Sequence, residues 1–193
     1  MRKIVLASTS PYRRNLLKQL EIPFVVSAPL YIEEIDQGIA PELLVKHLAF
    51  GKAQSLARHF TDSLIIGSDQ VFVDPRRRIL GKPSGRQEAI QQLQAMIGQP
   101  HTFYTGVTVF DAESGESASD YSEFSVTLRP LSVEQIEAYV DRENPFDCAG
   151  AFRVEGLGIA LMEKMEGDDY NSLIGLPLIK LTALLERFGV EVL

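Results

Sequence analysis

The sequence is poor in the residues that build metal clusters and covalent staples. Of its 193 residues, one is a cysteine, Cys148, and three are histidines. A single cysteine excludes an internal disulfide framework. It reads either as a small buried apolar residue or as a lone reactive thiol. His47, His59 and His101 are scattered rather than clustered, so a zinc site is not expected and all three read as structural or surface residues. Tryptophan is absent, and positive charge is in deficit: 19 Lys and Arg stand against 26 Asp and Glu, a net charge of -7. That balance argues against a broad nucleic-acid surface, which needs a basic face. It leaves room for a small phosphate ligand, which needs only a few local cations. No apolar run approaches a membrane span, and residues 4–7 of the opening MRKIVLASTS are too short for a signal-peptide core. The expectation is a cytoplasmic protein with neither a membrane nor a nucleic acid as partner. A G-x-x-x-x-G-K-[ST] phosphate loop is also missing, which removes the NTPases of that class.

What is present reads as an α/β protein. Composition is 45% hydrophobic and 23% charged, and a chain of this length buries roughly 70% of its unfolded surface without a staple. No repeat or linker is visible, and a single domain over 1–193 is expected. Strands are predicted over Lys3–Ala7 and Phe24–Ser27, over Leu64–Ile66 with a break at Gly67, and again over Val71–Val73. Ser10-Pro11 pairs a good N-cap with a residue suited to the first helical position, so a helix runs from there to about Leu20. Pro41 opens another, ending near His59. Asp74-Pro75 begins a turn that carries Arg76-Arg77-Arg78 into solvent. A helix over Gln87–Ile97 is closed by Gly98 and Pro100, and 102–110 with 119–128 reads as a hairpin. Ser132 and Gln135 form a capping box for a helix to about Asp141. A strand over Ile159–Met162 and a helix over Pro177–Phe188 complete the pattern. Interleaved helices and strands plus a hairpin give a mixed sheet with flanking helices.

Four segments could carry chemistry. In Ser8-Thr9-Ser10-Pro11-Tyr12-Arg13-Arg14 a strand delivers the chain to a helix N-terminus rich in hydroxyls, a place that favours an anion. Arg13 and Arg14 oppose the helix dipole there unless an anion sits between, although an ordinary capped helix with solvated arginines fits as well. In Gly67-Ser68-Asp69-Gln70 an acid and an amide follow a strand, where ligands of open α/β sheets gather. Asp69 could hold a metal or accept a proton, or serve as a turn residue. Gly81-Lys82-Pro83 offers close approach and a point charge. Lys52 on the second helix is a weaker candidate, and Glu33-Glu34 reads as a solvated acidic pair. Cys148 to Gly156 brackets Glu155 with glycines, as either a ligand-covering loop or a tight structural turn would.

Six fragments in order, LASTSPYRRNLL, IIGSDQV, GKP, YTGV, CAGAFRVEG and NSLIGLPLIKL, resemble the Maf family of nucleotide pyrophosphatases over essentially the whole chain. Within it the residues are similar to the branch acting on 7-methyl-GTP. Branches acting on dTTP and UTP usually carry arginine, threonine and glutamine where this chain has Tyr12, Gln70 and Glu155. The resemblance implies an inosine-triphosphatase-like fold, with an elongated mixed sheet and a cleft between two lobes, and a homodimer. It implies a divalent cation, Mg²⁺ or Mn²⁺. Asp69 becomes the general base. The same resemblance would place Ser8, Arg13, Arg14, Lys52 and Lys82 around the triphosphate, Glu33 and Asp69 on the metal, and Tyr12, Gln70 and Glu155 as the specificity residues. One departure stands out: Ile32 precedes Glu33 where the family often has an Asp-Glu pair.

The chemistry implied is hydrolysis of the α–β phosphoanhydride to a nucleoside monophosphate and pyrophosphate. A ring methylated at N7 of guanine is cationic and stacks on an aromatic such as Tyr12, a term of about 0.5–2 kcal/mol. An acid such as Glu155 can accept from the guanine N1–H and amino group. The competing readings are a dTTP or UTP pyrophosphatase, and a non-catalytic nucleotide-binding regulator of cell division.

Overall fold

A computed structural model describes residues 2–32 and 38–193. In chain order its elements are β1 (Lys3–Ala7), α1 (Pro11–Leu17), β2 (Phe24–Ser27), α2 (Pro41–Gln54), β3 (Ser63–Val73), β4 (Ile79–Leu80) and α3 (Arg86–Met96). They continue with β5 (Pro100–Asp111), β6 (Ser117–Leu128), α4 (Val133–Glu143), β7 (Met162–Gly167), α5 (Tyr170–Ile174) and α6 (Leu178–Arg187). Among the described residues the strands make a seven-stranded mixed sheet in the order β2-β1-β3-β5-β6-β7, with β4 on β3. β1 runs parallel to both its neighbours, whereas β4 and β7 run antiparallel to β3 and β6. No helix among the described residues is long and apolar enough to cross a membrane.

The chain divides into two compact units. The first comprises Met1–Gln70, Tyr104–Glu123 and Asp168–Leu193. Its inner parallel strands, β1 and β3, are buried on both faces, as a strand covered on two sides must be, whereas edge strand β2 leaves Val25 and Val26 exposed. Ile4, Leu6, Leu64 and Ile66 pack on one face against Leu16 and Leu17 of α1 and Leu181, Leu184 and Leu185 of α6. Val5, Ala7 and Ile65 pack on the other with Ala53 and Leu56. Gly67 continues that second face. A Cβ on it would lie 2.0 Å from the carbonyl oxygen of Ala49 in α2, and one on Gly106 of β5 would lie 2.3 Å from that of Val45. The two glycines therefore let α2 lie directly on the sheet.

The break predicted at Gly67 is thus corrected: β3 is continuous from Ser63 to Val73. The glycine serves helix–strand approach rather than a turn.

The second unit comprises Val71–Phe103 and Phe124–Gly167. Its centre is aromatic. Phe72 lies 4.4 Å from Phe103, ring centre to ring centre, stacks on His101 at 5.5 Å, and meets Phe152 edge-on at 6.4 Å. The predicted capping box is present: Gln135 N–H donates to Ser132 Oγ at 3.3 Å, and Ser132 N–H to Gln135 Oε1 at 3.0 Å. Arg76, Arg77 and Arg78 are exposed on the predicted turn, where Asp74 accepts from Arg78 Nε at 2.7 Å and from the backbone of Arg76 and Arg78. The strand predicted over Ile159–Met162 is a second correction. A 3₁₀ turn occupies Leu157–Leu161, and the strand starts at Met162. Gly158 fixes that turn, since its N–H donates to Arg153 O at 3.0 Å and a Cβ would fall 2.2 Å from the same oxygen. Ile159 is left 54% exposed.

Candidate active site

Strand register brings the first two candidate segments together. Ala7, the last residue of β1, pairs with Gly67 of β3. The chain leaves β1 at Ser8 while β3 continues through Ser68, Asp69 and Gln70. The carboxyl end of β1 therefore lies level with the polar stretch of β3, where an open parallel sheet offers room for a ligand.

Alternation along β3 then divides the polar residues between faces. Asp69 follows Ile65 and Gly67 onto the α2 side. There Lys52 Nζ donates to Asp69 Oδ1, and both residues are buried, at 6% and 7% exposure. A carboxylate this buried needs a cationic or hydrogen-bonding partner, because an unpaired charge out of water costs several kcal/mol. Lys52, only a secondary candidate by sequence, is that partner.

Ser68 and Gln70 follow Leu64 and Ile66 onto the opposite side and meet α5, a short helix that sequence reasoning left unassigned. Gln70 Nε2 lies 2.9 Å from Thr105 Oγ1, 2.8 Å from Ser172 O and 3.1 Å from Leu173 O, so its two hydrogens are shared among three acceptors. Thr105 Oγ1 donates to Ser172 O at 2.8 Å. Ser68 Oγ approaches Gly106 O at 2.8 Å and Gly175 O at 3.0 Å. Arg13 Nε reaches the same Gly175 O at 2.8 Å. Asp169 caps α5, taking Asn171 N–H at 2.9 Å, and its other oxygen takes Ile179 N–H of α6 at 2.9 Å.

The loop entering α1 is also defined. Ser8 is buried and its Oγ accepts Ser10 N–H at 3.1 Å, while Ser10 Oγ caps the helix by accepting Arg13 N–H at 3.4 Å. Two amide donors of this helix start are therefore already used. Of the side chains at this helix start, Tyr12 and Arg13 are half-buried and Arg14 is exposed.

The first unit thus holds Ser8, Tyr12, Arg13, Arg14, Lys52, Asp69 and Gln70. Lys82 and Glu155 belong to the second unit, where both are exposed. Glu33 lies outside the described residues. Thr105, Ser172 and Gly175, to which sequence reasoning gave no role, sit in the YTGV and NSLIGLPLIKL fragments that carried the resemblance. Cys148 is half-buried; burial foremost, then Asp147, pushes its thiol up to about 11. It stays protonated near neutrality, which disfavours the reactive-thiol reading. No cluster of three His, Cys, Asp or Glu able to hold a metal occurs among the described residues.

The family model described as Maf-like protein matches residues 3–188. A relative named 7-methyl-GTP pyrophosphatase from Syntrophotalea carbinolica is 60% identical, over 100% of this chain and 98% of its own length. A protein of the same name from Vibrio vulnificus is 52% identical over 99% and 97%. Among solved structures, a HAM1 protein from Coxiella burnetii superposes with a TM-score of 0.54 at 16% identity, over 97% of this chain and 100% of its own. The Staphylococcus aureus Ham1 protein gives 0.53 at 13%, over the same shares. These two likenesses establish the fold alone.

Proposed function

The chain belongs to the Maf family, and we propose that it is a nucleoside triphosphate pyrophosphatase preferring 7-methyl-GTP. It cleaves the α–β phosphoanhydride to release a nucleoside monophosphate and pyrophosphate. The observation that carries this reading is the buried Lys52–Asp69 pair at the level where β1 gives way to Ser8 and the Arg13 helix. It stands in a chain whose full-length relatives bear the name 7-methyl-GTP pyrophosphatase.

In this reading Asp69 orients the attacking water and takes its proton. Lys52 holds one carboxylate oxygen, and the other retains its own lone pairs for that task. Arg13 and Lys52 offset the charge of the triphosphate, and the lysines, Lys52 and Lys82, meet the charge that develops on the departing pyrophosphate. Ser8 shapes the turn that presents Arg13.

A divalent cation, Mg²⁺ or Mn²⁺, fits this donor set. Such hard ions are commonly held by one or two carboxylates plus the substrate's own phosphates and water, rather than by a protein cage. Asp69 would be one ligand and Glu33 the other. When bound, the ion supplies charge neutralisation and polarises the phosphoryl group. Lys82 as a phosphate contact, Arg14 beside Arg13, Glu155 on the guanine edge, and a cytoplasmic homodimer belong to the same reading and rest on the resemblance.

The test is a panel of triphosphates assayed for pyrophosphate and orthophosphate. The expected outcome is pyrophosphate release, fastest with 7-methyl-GTP, and a loss of about 10²–10⁴-fold in kcat for Asp69→Asn. Tyr12→Ala and Glu155→Gln should each lower the 7-methyl-GTP to UTP ratio. Orthophosphate as the first product would reject the reaction; an unchanged ratio would reject the specificity assignment.

A further inference from the structure

A helix leaves its last carbonyls without partners inside itself. In α5 and its C-cap Gly175, Ser172 O, Leu173 O and Gly175 O meet side chains from three other elements: Gln70 and Ser68 of β3, Thr105 of β5 and Arg13 of α1. This is more than a short helix needs to be capped, and two of these oxygens, Ser172 O and Gly175 O, each face two side-chain donors. Gly175 O takes the Arg13 Nε–H and shares the single Ser68 hydroxyl hydrogen with Gly106 O, which lies 2.8 Å from the same Oγ. Gly175 itself has φ +131°, which a residue with a Cβ rarely adopts. A Cβ there would stand 3.6 Å from Arg13 Nε, so conformation rather than space requires the glycine.

We propose that the carbonyl end of α5 is the positioning device for Arg13, with Gly175 O as the anchor and Ser68 as the second donor that holds the anchor in place. An arginine fixed through Nε loses rotation about that nitrogen, so the plane of its guanidinium is set by the end of α5 rather than by its own helix. Ser68 is 0% exposed and cannot itself touch a ligand. Its influence on binding passes through Gly175. Gln70 and Thr105 secure the preceding turn of α5 in the same way, which gives Gln70 a task in the protein's own framework.

This inference rests on the proposed role of Arg13 at the triphosphate. Its test is a double-mutant cycle of Ser68→Ala and Arg13→Lys, read in KM and kcat for 7-methyl-GTP with Mg²⁺. Ser68→Ala should raise KM roughly two- to ten-fold, the range that one hydrogen bond commands. kcat should hold within about two-fold, because the triphosphate charge is present in ground and transition states alike. In the Arg13→Lys background the same change should have little effect on KM, since lysine has no Nε–H to orient. Ser68→Cys, which keeps a weak donor, should recover part of the loss and serves if Ser68→Ala fails to fold. Effects that multiply independently in the two backgrounds, or a fall confined to kcat, would overturn the proposal. If the wild type releases no pyrophosphate, the functional reading fails by itself, and the same cycle is run on inorganic tripolyphosphate binding by calorimetry. Non-additive binding would then uphold the positioning role. Additive binding, or none that depends on Arg13, would overturn it.

Discussion

At the scale of single residues, burial decides what a titratable group does. His101 is buried, stacked on Phe72, with Nδ1 3.1 Å from Gln99 O. Burial lowers its pKa, while Gln99 O and the charge of Asp74 oppose that shift only in part. The unfolded chain therefore takes up a proton near pH 6.5 that the folded chain resists. Stability from this residue is present above that pH and is lost as the pH falls through the interval below it. Urea unfolding followed from pH 7.5 to 5 should show a decline that is flatter in His101→Phe, which keeps the ring contact. A decline unchanged in that variant would assign it elsewhere. Asp111 differs. Arg2 donates to it at 2.6 Å and, with backbone donors of the following turn, holds it far below the ordinary carboxylate range. Its contribution is full through neutrality, begins to erode as the pH falls to the unfolded carboxylate range of about 4, and is lost in strong acid.

At the scale of elements, two glycines determine how closely α2 lies on the sheet. Gly67→Ala would drive a methyl group to 2.0 Å from a helix carbonyl. The expected cost is about 1–3 kcal/mol of stability, the range for overpacking, measured by urea unfolding. Because Asp69 and Lys52 span the same β3–α2 contact, activity should fall as well. Gly81→Ala, where a Cβ meets nothing within 4 Å, is the control. An alanine at Gly67 without cost would mean that α2 does not lie as described. Local signals of this kind were readable where one residue type has one meaning. The Ser10-Pro11 helix start and the Ser132 capping box both follow from side-chain and backbone chemistry within a few positions. They failed where a glycine serves a distant partner. Gly67 reads as a strand break because the residue that needs its missing side chain, Ala49, lies in a different element, beyond the reach of local sequence rules. The α5 turn was invisible because five residues show no period, and its support comes from β3, β5 and α1.

At the scale of the whole molecule, interleaved strands and helices were enough to give an α/β chain, and the order of six short fragments was enough to suggest the family. Sequence order could not give the register between β1 and β3, which is what brings Ser8 level with Ser68 and Asp69. Nor could it reveal that Lys52 is the buried partner of Asp69, since a lysine on a helix is ordinarily solvated. Lys82 and Glu155, expected at the same substrate, lie in the second unit. The register and the buried pair together turn a suggestive motif into a chemical proposal: a carboxylate held by a lysine activates water against the α-phosphorus. The most direct measurement is turnover of 7-methyl-GTP in water enriched in heavy oxygen, with products weighed by mass spectrometry. Attack at the α-phosphorus places the label in the nucleoside monophosphate and leaves pyrophosphate unlabelled. Label in pyrophosphate, or in orthophosphate, would contradict the account.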